Sequence, residues 1–167
     1  VFESTRGLKN GDSVEFEGRM LEVSLGPGLL SSVYDGLQNN LATMDSVFLR
    51  RGEYTDPLDH SKDWEFTPLA KVGDKVEAAD WLGEVKEGWL PHKIMVPFSF
   101  KGEYTVKSVA EAGQYNIDHT IAVLTNAEGE DVNVTMVQKW PAKVAIKNYV
   151  EKPRPNRIME TGVRVID

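Results

Sequence analysis

The run Lys71-Val72-Gly73-Asp74-Lys75-Val76-Glu77-Ala78-Ala79-Asp80-Trp81-Leu82-Gly83-Glu84-Val85 decides the fold class of this chain. It reads as a strand, a Gly-Asp turn, a Val-x-x-x-Asp step and a second strand. A partial echo follows in Ala112-Gly113-Gln114-Tyr115-Asn116-Ile117-Asp118-His119-Thr120-Ile121-Ala122-Val123-Leu124. Outward from this core, short runs rich in β-branched and aromatic residues recur about every 8–12 residues, punctuated by Gly, Asp, Asn or Pro. Strands are expected at Ser13–Phe16, Met20–Leu25, Glu65–Pro68, Leu82–Val85, Lys93–Val96, Tyr104–Val109, His119–Leu124, Val132–Val137 and Lys143–Asn148. Turns are expected at Asn10-Gly11-Asp12, Gly26-Pro27-Gly28, Val72-Gly73-Asp74 and Asn126-Ala127-Glu128-Gly129. One helix is expected over Leu37–Phe48, where Leu37, Leu41, Met44 and Phe48 form a single apolar stripe. The class is mainly β: a sandwich or barrel-like domain with one short helix and extended flanks.

At 167 residues, the chain has room for one domain or two small ones. Hydrophobic residues make up 41% and charged residues 27%, enough of each to bury a core and solvate a surface. Its 19 Lys and Arg stand against 26 Asp and Glu, a formal charge of −7 that argues against a generally basic nucleic-acid binder. The absence of cysteine removes disulfides, thiol nucleophiles and Cys-type metal sites. No apolar run is long enough to span a bilayer. The opening Val-Phe-Glu-Ser has neither an initiator Met nor a secretory leader, so a piece of a longer protein is expected. The tail from Pro141 is locally basic and contains Pro153-Arg154-Pro155, which reads as a solvated, extended linker.

Chemistry-bearing motifs are sparse. A phosphate loop needs a Gly-Lys pair, and the chain has only the reverse, Lys101-Gly102. Gly26-Pro27-Gly28 resembles a dinucleotide loop only superficially, because Leu29-Leu30-Ser31 follows where the third Gly belongs. His60, His92 and His119 have no second His at metal-ligand spacing, and no serine elbow is present. Glu128, Glu130 and Asp131 read as a solvated hairpin tip. Asn133-Val134-Thr135 matches a glycosylation sequon without a secretory signal to support it. No catalytic, cofactor-binding or metal-ligating residue is therefore assigned.

Lys71–Val85 resembles the first half of a biotinyl/lipoyl-type barrel. In a carrier domain, Lys86 or Lys93 would be the residue nearest to a modifiable lysine, yet Lys86 lies between Val85 and Glu87, without the small or Met neighbours such a lysine has.

A more specific resemblance runs through the whole chain. Val1-Phe2-Glu3-Ser4-Thr5-Arg6-Gly7-Leu8-Lys9-Asn10-Gly11, Leu25-Gly26-Pro27-Gly28-Leu29-Leu30, Tyr34-Asp35-Gly36-Leu37-Gln38, Phe48-Leu49-Arg50-Arg51-Gly52, Trp64-Glu65-Phe66-Thr67-Pro68, His92-Lys93-Ile94-Met95-Val96-Pro97, Gly102-Glu103-Tyr104-Thr105-Val106, Trp140-Pro141 and Glu160-Thr161-Gly162-Val163-Arg164-Val165-Ile166-Asp167 resemble, in family order, the catalytic A subunits of vacuolar/archaeal-type rotary ATPases. Asn39-Asn40 departs from the family's usual basic residue and Pro.

The resemblance implies the end of an N-terminal barrel and a linker over 1–38, the helix plus the family's bulge domain over 39–140, and a linker into a nucleotide-binding domain over 141–167. The phosphate loop, with ATP and Mg²⁺, would lie beyond Asp167, so ATPase activity is not expected of this chain alone. The expected partners are the B subunit and the peripheral stalk, with no nucleic acid and no direct membrane insertion. The expected location is the cytoplasm, peripheral to a membrane, in an enzyme moving protons or sodium ions. Leu29, Leu30, Val33 and Val163 would lose their usual partners. Flanks that fray are then the first expectation; pairing across the base of the bulge, or dimer formation, is the other outcome. Of Trp64, Trp81, Trp89 and Trp140, at least two are expected in the core and others at a docking surface.

Overall fold

A computed structural model describes residues 5–16, 18, 20–44, 54–149, 151, 154–158 and 162. Among these residues ten strands run in the order β1 Glu22–Leu25, β2 Asp63–Pro68, β3 Lys75–Val76, β4 Trp81–Glu87, β5 Leu90–Met95, β6 Tyr104–Val109, β7 Gly113–Asn116, β8 Ala122–Thr125, β9 Asp131–Val134 and β10 Gln138–Pro141. They form two four-stranded sheets, β5-β4-β2-β7 and β3-β6-β8-β9, and a ribbon of β1 with β10. Every pairing is antiparallel.

The sheets follow from residue alternation. In β2, Asp63, Glu65 and Thr67 face solvent while Trp64 and Phe66 turn inward, the pattern of a strand with one wet face. One core gathers Leu58, Trp64, Phe66, Val85, Ile94, Ile117, Ile121 and Met136. A second gathers Ala70, Val76, Leu82, Val96, Val106, Ala122, Leu124 and Val134. Strand β4 contributes to both. Its register against β5 shifts between Trp81 and Gly83, and Leu82 enters the second core while Val85 enters the first. Gly83 has to lack a side chain, because a Cβ there would lie 2.2 Å from Phe66 Cε2.

Several expectations change. Leu37–Met44 forms turns and an isolated bridge between Tyr34 and Asn40, not a helix; residues 45–48 of the expected helix lie outside the described residues. The reason is local competition: Asp35 accepts the backbone N–H of Leu37 and Asn39, and Gln38 takes a φ of +65°, so the helical ladder cannot form. Ser13–Phe16 and Lys143–Asn148 are not strands, since among the described residues no strand pairs with them. Strands β3, β7 and β10 were not anticipated; Gly113, Gln114 and Asn116 have low strand propensity, and β7 exists because β2 offers a paired edge. Nor does fraying describe Glu22–Leu25, which pairs with Gln138–Pro141 across the base of the sandwich. Leu30 and Val33 remain exposed, and Val163 lies outside the described residues.

One turn recurs three times. In Lys9–Asp12, Lys71–Asp74 and Glu77–Asp80 the Asp carboxylate accepts the N–H three residues back at 2.7 Å, and the Asp N–H donates to that residue's carbonyl at 3.1–3.2 Å. The third position has positive φ each time: Gly11 at +100°, Gly73 at +91° and Ala79 at +78°. Gly73 and Ala79 are thus equivalent positions occupied by a compatible and a strained residue. Because an L-residue in this region costs about 1–2 kcal/mol and Gly loosens the unfolded chain by about 0.4–1 kcal/mol, Ala79→Gly is expected to stabilise by roughly 0.5 kcal/mol. Gly73→Ala, with open space around its Cβ position, is expected to destabilise to a similar extent. Urea unfolding of both variants checks this; a destabilised Ala79→Gly would refute it.

Candidate functional site

Where the first segment meets the sandwich, a buried carboxylate gathers donors from both. Glu87 ends β4 and is 5% exposed, and Gly88, at φ +62°, turns the chain back into β5. One Glu87 oxygen accepts the N–H of Gly28 at 2.7 Å and of Leu30 at 3.1 Å. Its other oxygen lies 2.6 Å from His92 Nδ1. A carboxylate offers only acceptors, so His92 Nδ1 carries the proton of that bond. These three donors are what permits a buried carboxylate here, since an unpaired one would be strongly unfavourable.

The loop that receives Glu87 has the right composition for close approach. Pro27 is fully buried. A Cβ on Gly26 would lie 3.1 Å from Val137 Cγ2, and Gly28 adopts φ +108°. Leu29 packs on the first core. The Gly28 and Leu30 N–H groups thus engage the protein's own carboxylate in the way a glycine-rich loop engages a phosphate.

A second set of polar contacts anchors the same segment. The Gln38 side-chain amide accepts from Ser24 N–H and donates to Ser24 carbonyl, both at 2.8 Å, and so imitates a neighbouring strand on β1. Asp35 also accepts from the Asn39 side chain at 2.8 Å, and this bond holds its carboxyl below the usual range. Buried Asn39 accepts from Thr55 N–H, Asn40 N–H donates to Thr55 Oγ1, and Tyr34 donates to Pro57 carbonyl. The Asn39-Asn40 pair, where the sequence departs from the family's usual residues, is a working part of this joint.

The other sequence candidates are distributed over the surface. His60 sits between Asp56 at 3.1 Å and Asp118 at 2.6 Å, and the Asp118 hydrogen bond raises its pKa. His119 stacks on Tyr115 with centroids 4.5 Å apart. Among the described residues no group of three or more His, Cys, Asp or Glu is placed to hold a metal ion. Glu128, Glu130 and Asp131 occupy the β8–β9 hairpin; Asn126 Oδ1 accepts two of its backbone N–H groups, and Lys107 pairs with Asp131 and lowers its pKa. Asn133 is exposed on β9. Lys93 is paired with Glu84 and lies over the Trp81 ring at 4.7 Å, while Lys86 is a strand residue opposite Pro91. Neither lysine stands on an exposed hairpin tip.

Only Trp64 of the four tryptophans is in the core, not two or more. Trp140 is half-buried, edge-on to Phe98 at 5.7 Å, with its N–H donated to Val144 carbonyl. Trp81 is 57% exposed and Trp89 is 88% exposed. Both flank the β4–β5 hairpin, one at each end of β4. Nothing local in the sequence distinguishes an exposed Trp from a buried one.

Residues 55–143 match the family described as the ATP synthase alpha/beta subunit barrel-sandwich domain. The chain belongs to that family. Over its whole length it is 48% identical to a V-type ATP synthase alpha chain of Treponema denticola, and also to those of Borrelia hermsii and Borrelia turicatae. It spans 29%, 29% and 30% of those relatives respectively. These relatives lend nothing to the carrier reading. In this barrel-sandwich domain, Glu87 and His92 lie inside the matched span while Gly28 and Leu30 lie outside it, so the buried carboxylate fastens the domain to the segment preceding it. No helix among the described residues is long and apolar enough to cross a membrane.

Two outcomes follow from this geometry. Glu87→Ala removes the acceptor of the half-buried Gly28 N–H and of the Leu30 N–H and is expected to cost about 1–2 kcal/mol. It should raise hydrogen exchange at those two amides while Leu124 stays protected; unchanged exchange at both would refute the fastening role. For His60 the sign follows from its raised pKa: its stabilisation is fully present below about pH 6.5 and is lost as pH rises through the folded value. His60 and Asp118 are 45% and 59% exposed, so the effect is below about 1 kcal/mol. The stability gap between the native chain and His60→Gln should therefore close towards alkaline pH, as read by urea unfolding across the neutral range.

Proposed function

We propose that this chain is a non-catalytic structural part of the ATP-hydrolysing or ATP-synthesising A subunit of a V/A-type rotary ATPase that translocates protons or sodium ions. Within that subunit, residues 1–38 finish the N-terminal barrel and lead towards the nucleotide domain, 39–140 carry the projecting domain, and 141–167 enter the nucleotide-binding domain. ATP and Mg²⁺ are held elsewhere in the longer protein, and this chain alone does not turn over ATP. The sandwich docks a peripheral stalk or a neighbouring subunit such as B, on the cytoplasmic side and peripheral to the membrane.

The observation that supports docking is the pair Trp89 and Trp81, 88% and 57% exposed at the two ends of one edge hairpin. Large aromatic side chains left in water are costly for a solitary domain and are the residue type that concentrates binding energy at interfaces. Trp89 helps to line a groove of about 350 Å³ together with Glu65, Thr67, Glu84, Lys86 and Pro91.

The test is a Trp81→Ser/Trp89→Ser double variant in the intact enzyme. Because neither ring is in a core, the variant's own stability is expected to change by under about 0.5 kcal/mol per site. ATP hydrolysis by the soluble head should persist, while retention of the stalk and ATP-driven ion transport fall. Full retention of both in a folded variant would refute docking through this face.

A further inference from the structure

The three equivalent Asp turns differ in two chemical respects. Gly73 N–H donates to Val106 carbonyl at 2.8 Å, and Ala79 N–H donates to Val96 carbonyl at 3.0 Å. Among the described residues, no acceptor is found for Gly11 N–H, and nothing lies within 4 Å of its Cβ position. The residue before the positive-φ position also differs: Val72 and Ala78 in two turns, Asn10 in the third. Asn10 and Gly11 are both exposed, and no partner for the Asn10 amide is found among the described residues. A free backbone nitrogen thus follows a free side-chain amide, with no side chain on Gly11 to obstruct their approach.

We propose that Asn10 is a site of spontaneous deamidation and isoaspartate formation. The Gly11 nitrogen loses its proton to water or hydroxide and attacks Asn10 Cγ; a new C–N bond forms and the side-chain nitrogen leaves as ammonia. The five-membered imide is then opened by water at either carbonyl, giving aspartate or isoaspartate. Overall one water is consumed and one ammonia released, with no redox change. The product carries one more negative charge than the −7 of the native chain, placed beside Asp12. The iso form also inserts a methylene into the backbone between Lys9 carbonyl and Asp12 N–H, which are bonded at 3.2 Å in the native turn.

The chain contains its own controls. Asp35-Gly36 has the other sequence prone to this cyclisation, yet the Asp35 carboxylate accepts from Leu37 N–H, Asn39 N–H and the Asn39 amide. Those donors favour its ionised form, a poor electrophile, and occupy both of its oxygens. No other Asn in the sequence precedes Gly. Asn126, the residue at the β8–β9 hairpin, is followed by Ala127 and uses its side chain to bind Glu128 and Glu130 N–H.

The experiment incubates the full chain at physiological temperature and mildly alkaline pH, then maps peptides by mass and by enzymatic methylation of isoaspartate. Modification is expected at Asn10, accelerating with pH and split between aspartate and isoaspartate, with Asp35-Gly36 intact. Asn10→Gln should abolish the product, and Gly11→Ala should slow it severalfold. Asn10 remaining intact over the time in which a Leu8–Ser13 peptide converts would overturn the proposal. So would modification spread evenly over all Asn residues, which would mark general unfolding and not this turn.

Discussion

A buried carboxylate is admissible only where its oxygens are filled with donors, and that constraint organises this molecule. Glu87 is 5% exposed, so the Gly28 and Leu30 amides and His92 have to converge on it. Convergence fixes the course of residues 26–30, which in turn places β1 against β10 and lets Leu29 reach the first core. Removing one partner leaves the others unsatisfied, so the contacts behave as a unit. The preceding segment is thereby part of the folded body of the barrel-sandwich domain.

Around this joint the sandwich is built economically. One register shift in β4 serves two cores, and the absence of a side chain at Gly83 lets the Phe66 ring lie directly against the strand. A single Asp-anchored turn is used three times, twice inside the sandwich and once at Lys9–Asp12. Inside the sandwich the turn amides are tied to Val106 in β6 and to Val96 just after β5; among the described residues the Gly11 amide at Lys9–Asp12 has no such acceptor, which is the basis of the reactivity proposed there. The exposed Trp81 and Trp89 show a similar split between equal residues: Trp64 fills a core while these two remain in water.

Much of this was readable before any coordinates. Alternation in Trp64–Pro68 and the Gly-Asp turn at Gly73-Asp74 identify strands through a period of two and a positive φ, both properties of nearby residues. The family resemblance likewise rested on contiguous motifs. The stripe Leu37, Leu41, Met44 and Phe48 misled because spacing alone omits the competing hydrogen bonds of Asp35, which capture the amides of Leu37 and Asn39. Strand β7 was illegible for the opposite reason: Gly113-Gln114-Tyr115-Asn116 carries little intrinsic preference, and its pairing with β2 supplies the order.

The sequence by itself determined the mainly β class, the turn positions, the lack of a glycine-rich phosphate loop with its lysine, and the family. Each of these depends on residues within a few positions of one another. Only the tertiary structure decided that Glu87 meets Gly28 across 59 residues, that Gln38 imitates a strand beside Ser24, and which tryptophans are buried. Those outcomes depend on which distant segments come into contact, and burial and hydrogen-bond satisfaction are properties of that contact and not of any residue's neighbours in the chain.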